Sequence, residues 1–136
     1  MQTFMPYPGL TASARVLDRM RLGKQRVEAW QIVQALTRAE YGWKNHPATK
    51  MWRGHVPALA MYGIAVCDEW IARGYADSLR DKFAQLADPE HPLPPWVGDD
   101  AVHASHRSRL LEKDPVWYAQ WEWDEPPGMT YVWPVK

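Results

Sequence analysis

RVLDRMRLGKQRVEAW, residues 15–30, decides the fold and concentrates the positive charge. It carries five basic and two acidic side chains, in a 136-residue chain whose 16 Lys and Arg balance 16 Asp and Glu. Placed at 100° per residue, the apolar positions of this stretch and of the residues that follow form one stripe: Leu17, Met20, Val27, Trp30, Val33 and Leu36. We therefore predict a long amphipathic helix that begins at Thr11 or Ser13, ends near Arg38 and is buried on its apolar side.

The other side of this predicted helix is basic through Arg19, Arg21, Lys24 and Arg26. Cations on a rigid rod can follow a phosphate backbone, and such binding weakens steeply with salt. A solvated helix face of no special function is the alternative. Gly23 costs the helix about 1 kcal/mol relative to Ala, so it marks either a kink or a close approach to the backbone.

Length and composition predict a single domain, residues 1–136, able to bury about two thirds of the surface of its unfolded chain. Cys67 is the single cysteine, which excludes an internal disulfide and favours a reducing compartment, the cytoplasm. No stretch approaches about 18 apolar residues, and the N-terminus lacks a signal-peptide pattern. We expect neither export nor membrane spanning, no cofactor, and a monomer.

Three further segments are predicted to be helical. Residues 57–74 form a second main helix, residues 75–86 a shorter one, and a third main helix begins at Asp99 or Asp100 and ends before Pro115. Most of the 9 Trp and 12 Pro lie between these segments and in the tail. We expect an all-α fold of three main helices and one short helix, with aromatic- and Pro-rich loops and a tail that folds back over the body.

The third main helix groups polar side chains on one face: His103, His106, Arg107 and, beside them, Arg109. Two histidines one turn apart can bind a metal or act as acid and base. Without a further ligand, two histidines at this spacing are weak evidence for a metal site, and we expect none. Alternatively, these histidines bind phosphate groups or satisfy hydrogen-bonding groups at a partly buried surface. His46 and His55 flank an aromatic, basic loop and could join the same pocket.

Lys24 and Glu28 are one helical turn apart on the first helix. An ordinary surface ion pair would be worth a few tenths of a kcal/mol. Alternatively, neighbouring arginines lower the pKa of the lysine, which then acts as an amine nucleophile with a carboxylate to move protons. Aromatic residues beside cations, as in Trp43-Lys44 and Trp52-Arg53, suit a pocket for a nucleobase, although most of the tryptophans must be packing residues.

Three stretches together resemble the pyrimidine-dimer DNA glycosylase family, the phage endonuclease V type. RLGKQRV, at residues 21–27, is similar to the family's Arg-rich helix segment. Gly-His-Val, at residues 54–56, precedes the long helix that ends in EWIARGY, and HASHRSRLLEKDPVWY is similar to the family's final helix with its Pro-x-Trp-Tyr ending. The resemblance covers most of the chain in order.

The resemblance implies a helical domain that binds duplex DNA, flips out a nucleotide and cleaves the glycosylic bond with an N-terminal α-amine. The resemblance also implies that Arg21, Arg26, Arg109 and Lys113 contact phosphate groups of the DNA. Two positions depart from the family pattern. Gln2 stands where the family has the threonine that is exposed after removal of Met, and in an ungapped match the family's catalytic glutamate falls on Gly23.

The favoured hypothesis is a glycosylase and lyase for damaged or modified bases with relocated catalytic residues. Its predicted catalytic residues are Met1, Lys24, Glu28 and His106. Its predicted nucleic-acid contacts are Arg19, Arg21, Lys24, Arg26, His46, His55, His103, Arg107, Arg109 and Lys113. The alternatives are a His-dependent, metal-dependent or metal-free, enzyme that processes nucleotides or nucleic acids, and a non-catalytic nucleic-acid-binding module.

Overall fold

The computed structural model describes residues 1–135, and these fold as helices joined by irregular segments. The helices are α1 (Leu10–Val16), α2 (Arg19–Thr37), α3 (Pro47–Lys50), α4 (Val56–Ala72), α5 (Arg80–Ala84), α6 (Asp100–Lys113) and α7 (Pro115–Tyr118), followed by a 3-10 turn at Ala119–Trp121. Residues 1–135 contain no strand. The prediction of an all-α fold is therefore confirmed. No helix in this part of the chain has the length and apolar character needed to cross a membrane.

The prediction of one uninterrupted first helix was wrong, because the chain breaks at Leu17 and Asp18 between α1 and α2. The Asp18 carboxylate accepts the Arg21 N–H (3.4 Å) and caps α2. The same carboxylate accepts the Tyr118 hydroxyl (2.6 Å), and that hydroxyl accepts the Asp18 N–H (3.0 Å). A contact with a tyrosine 100 residues away thus stabilises the break.

The predicted apolar stripe was also partly wrong. Met20 is 64% exposed and Val27 47% exposed. The buried face of α2 instead consists of Leu22, Gln25, Ala29, Ile32, Val33 and Ala35. A glutamine and two alanines are among the buried residues of this helix. The positions of the large apolar side chains alone therefore predicted the buried helix face only in part.

The boundaries of α4 and α6 lie close to the predicted ones. Gly74 follows α4 with φ +97°, and the Asp99 side chain caps α6 by accepting the Ala101 N–H (3.1 Å). α5 is shorter than the predicted residues 75–86, because Asp77 accepts the backbone N–H groups of residues 79 and 80 and starts the helix later. Leu86, which follows α5, is 37% exposed.

Gly23 marks a close approach and not a kink. α2 is continuous through this position, and a Cβ there would lie 3.0 Å from the ring of Trp70 on α4. α2 and α4 pack closely at this point.

The tail folds back over the body, as predicted. Trp117 Nε1 donates to the Val16 carbonyl (2.7 Å), which holds α7 against the end of α1. Farther along, Ser105 and Ser108 on α6 bind the backbone of residues 126–132. The tail therefore lies along α6 and brings Tyr131 beside the N-terminus of the chain.

Candidate active site

The N-terminal segment, residues 2–6, runs through the interior without regular secondary structure, and all five residues are buried. Buried backbone polar groups require partners, and side chains supply them here. The Met5 N–H donates to His106 Nδ1 (2.9 Å), and His103 Nδ1 lies 2.8 Å from the Met5 carbonyl. α6 therefore contacts both the N–H and the carbonyl group of Met5, in the middle of this segment.

α2 and α4 hold the beginning of the segment through Gln25 and Tyr62. Gln25 Nε2 donates to the Gln2 carbonyl (2.9 Å), and Gln25 Oε1 accepts the Phe4 N–H (2.8 Å). The Tyr62 hydroxyl lies 2.6 Å from Gln25 Oε1 and 2.8 Å from the Phe4 carbonyl. These hydrogen bonds fix residues 2 and 4, and they therefore fix the direction in which the chain runs from the core to Met1.

Met1 borders a cavity of about 300 Å³ between α2 and α6. Its lining residues are Met1, Gln2, Phe4, Met20, Arg21, Lys24, Gln25, Glu28, Arg109, Lys113 and Tyr131. Four cationic side chains and Met1 thus share a hollow with a single carboxylate, counted over the described residues. A hollow of this charge attracts anionic ligands such as a sugar-phosphate strand.

The cations of the cavity are largely available to a ligand. Within residues 1–135, Lys24 and Lys113 make no ion pair, and both are exposed. Arg21 pairs with Asp18 (3.1 Å), and the Arg109 guanidinium lies 4.7 Å from the centre of the Tyr131 ring. Of the four cations, only Arg21 is therefore paired with an acidic side chain in the described part of the chain.

The Glu28 carboxylate, which lines the cavity, accepts a hydrogen bond from a buried side chain. Gln25 Nε2 donates to Glu28 Oε2 (3.0 Å), the same nitrogen that donates to the Gln2 carbonyl. Burial, and then the N-terminal ammonium, lower the pKa of His46, while Glu28 acts in the opposite direction.

A family model for pyrimidine dimer DNA glycosylases matches residues 1–83 of the chain. The chain belongs to the pyrimidine dimer DNA glycosylase family. The matched part contains the N-terminal segment, α1 to α4 and all of α5 except Ala84, and it ends before α6. Comparison with curated proteins and with solved structures found no match to either. Membership of a DNA glycosylase family implies a DNA substrate.

In this member of the glycosylase family, six of the residues predicted from sequence meet at one place. They are Met1, Arg21, Lys24, Glu28, Arg109 and Lys113. Gly23, where the family's glutamate falls in the ungapped match, packs against Trp70 and does not line the cavity. Glu28 is the one carboxylate residue among the described residues that line the cavity with Met1.

Two of the predicted phosphate ligands bind acidic side chains of the protein instead. Arg26 pairs with Asp77 (2.7 Å) and lies over the Trp70 ring, 4.9 Å from its centre. Arg107 binds Glu125 and Asp100 at 2.5 and 3.1 Å and donates to the Pro6 carbonyl. Neither side chain lines the cavity.

The two histidines of α6 are buried, and each contacts a backbone group of Met5 through its Nδ1 atom. The Gly98 N–H donates to His103 Nε2 (2.9 Å), and His103 Nδ1 lies beside the Met5 carbonyl, so both ring nitrogens contact the backbone. Burial, and then His103, lower the pKa of His106 to about 3. Its ring packs between Phe4 and Tyr131, and residues 1–135 contain no metal-binding group of three or more His, Cys, Asp and Glu side chains.

The remaining predicted contacts lie apart from the lining. His46 caps α3 by accepting the Ala48 N–H (3.0 Å), and His55 precedes α4 with its Nδ1 3.3 Å from His91 Nε2. Arg19 is exposed at the start of α2. It is adjacent to the exposed Met20, which does line the cavity.

Sequence reasoning missed five lining residues: Gln2, Phe4, Met20, Gln25 and Tyr131. The one available signal was the spacing of Leu22, Gln25 and Ala29, which places a glutamine on an otherwise apolar helix face. A polar side chain at such a position needs buried partners. No local pattern indicated that the partners would be the N-terminal backbone and Glu28.

Proposed function

We propose that this protein is a DNA glycosylase with abasic-site lyase activity that acts on damaged or modified bases in duplex DNA. The observation that carries the proposal is the cationic hollow that Met1, at the start of the buried N-terminal segment, lines together with Glu28. α-Amines have a pKa of about 8, roughly two units below that of lysine side chains. At neutral pH an α-amine is therefore the more available nucleophile.

In the proposed reaction the lone pair of the Met1 amine forms a bond to C1′ of the deoxyribose. The C1′–N glycosylic bond breaks, and the base leaves with its electron pair and takes up a proton. The adduct nitrogen loses a proton as the C1′–O4′ bond opens and O4′ is protonated, giving an imine. Removal of a C2′ proton then expels the 3′ phosphate, and water hydrolyses the imine and regenerates the amine. Glu28 is the proposed carrier of these protons.

DNA binding is proposed to rest on the cations around the hollow, Arg21, Lys24, Arg109 and Lys113. They lie on two helices, so that a strand between α2 and α6 would be contacted from both sides. Arg19 and His46 are proposed to extend this surface. The hollow is large enough to admit a nucleotide flipped out of the duplex, at about 300 Å³.

The test uses two duplex oligonucleotides, one with a single cyclobutane thymine dimer and one with a single abasic site. We expect strand cleavage at both sites, and a covalent protein–DNA product when the abasic duplex is incubated with borohydride. Glu28→Gln should slow cleavage on the order of 10²-fold or more. Glu40→Gln, the same chemical change at an exposed residue beyond α2, should have no effect.

Absence of a covalent product at every pH would contradict imine chemistry. Salt-dependent binding without cleavage of either duplex would identify a non-catalytic DNA-binding protein instead.

A further inference from the structure

The side chain of Gln25 uses its whole hydrogen-bonding capacity and is only 1% exposed. Its Nε2 donates to the Gln2 carbonyl and to Glu28 Oε2, at 2.9 and 3.0 Å. Its Oε1 accepts the Phe4 N–H at 2.8 Å and lies 2.6 Å from the Tyr62 hydroxyl. One amide therefore contacts the backbone on both sides of residue 3, the carboxylate of the cavity, and a tyrosine of the core.

We propose that Gln25 is a positioning residue, which fixes the Met1 amine and the Glu28 carboxylate relative to each other. The inference rests on the proposed function of these two groups. Both are attached to Gln25 through the same Nε2 atom, which donates one N–H to the segment that carries the amine and the other to the carboxylate. A displacement of this nitrogen would move both groups of the reaction at once.

The chemistry of the site requires a neutral amide at this position. The two acceptors beside Nε2 need donors, while the Phe4 N–H and the Tyr62 hydroxyl need an acceptor. An apolar side chain would leave all four groups without this partner, at a cost for each buried group. A glutamate would keep the acceptor but bring a second carboxylate against Glu28, and like charges at this distance raise the pKa of a carboxyl group.

The test is the Gln25→Glu substitution, studied by single-turnover imine formation on an abasic duplex with borohydride from pH 5.5 to 9. We expect the rate at saturating DNA to fall on the order of tenfold or more. The acid limb of the pH profile should move to higher pH by about one unit, because two carboxylates then share the site. Affinity for the abasic duplex should stay within about threefold, since the cations of the cavity are unchanged.

Gln31→Glu is the matched control, because it makes the same change elsewhere on α2 at a residue that does not line the cavity. Its pH profile should coincide with that of the wild type. A folded Gln25→Glu protein with the wild-type pH profile and rate would overturn the role of Gln25.

If Gln25→Glu shows no cooperative thermal unfolding, Tyr62→Phe takes its place, because it removes one hydroxyl that holds the amide. A rate at saturating DNA that falls threefold or more with unchanged affinity supports the inference, and an unchanged rate overturns it. A wild-type chain that forms no imine overturns the proposed function and this inference together. Wild-type imine formation with an unaffected variant overturns this inference alone.

Discussion

α2 and α6 each carry two kinds of polar side chain with opposite roles. Arg21, Lys24, Arg109 and Lys113 line the cavity, and within residues 1–135 only Arg21 of these four makes an ion pair, with Asp18 at the start of α2. Arg26, His103, His106 and Arg107 lie on the same two helices but bind acidic side chains or the buried N-terminal backbone. We call these the cavity set and the anchoring set. The difference shows that basic residues of one helix can have different surroundings: some line the cavity, and others are held inside the protein by acidic side chains or by backbone groups.

The largest expected effect is on stability, when an anchoring arginine is removed. Arg26→Met leaves the Asp77 carboxylate, which is 1% exposed, without its cation. Breaking such a pair should lower the free energy of unfolding by about 2–4 kcal/mol. Lys24→Met, two residues earlier and without an ion pair in the described part of the chain, should change it by less than about 0.5 kcal/mol. Urea unfolding of both variants checks this, and equal losses would abolish the distinction between the two sets.

The anchoring histidines should make stability depend on pH. The pKa of His106 is about 3 in the folded protein, below the unfolded value of 6.5, so between these values the unfolded chain binds a proton that the folded chain does not. Stability is therefore unaffected above pH 6.5 and is lost as pH falls below it. His106→Asn keeps an acceptor for the Met5 N–H but cannot titrate.

Urea unfolding at pH 7.5, 6, 5 and 4 measures this dependence. The wild-type free energy of unfolding should fall more steeply than that of His106→Asn, by up to about 1.4 kcal/mol per pH unit. Equal slopes would mean that His106 is protonated in the fold and does not anchor Met5 as an acceptor.

The comparison also explains which features were accessible from the sequence. The bounds of α4 and α6 follow from local signals, a proline at the first turn and an aspartate cap, so they were predicted closely. The cluster of cations in residues 15–30 likewise includes Arg21 and Lys24, which line the cavity. The break at Asp18 and the course of residues 2–6 depend on partners about 100 residues away, Tyr118 and His106, which local patterns do not reveal.

The smallest expected effect concerns DNA affinity. Replacing Lys24 and Lys113 together by Ala should leave folding intact and reduce the slope of log K against log salt by about 1.8, or about 0.9 for each phosphate that the protein no longer neutralises. Fluorescence anisotropy of a labelled duplex between 50 and 200 mM salt measures the slope. Arg26→Met, studied well below its unfolding temperature, should keep the wild-type slope. A reduced slope for Arg26→Met alone would assign DNA binding to the anchoring set.

The most direct test of the proposed chemistry is to identify the residue that carries the sugar. The borohydride-reduced adduct on abasic DNA is digested with trypsin, and the modified peptide is identified by mass spectrometry. The α-amine of Met1 should carry the added deoxyribose fragment, in the peptide that begins at residue 1. Modification of Lys24, or of any other lysine with an unmodified N-terminus, would contradict the assignment of the α-amine as the nucleophile.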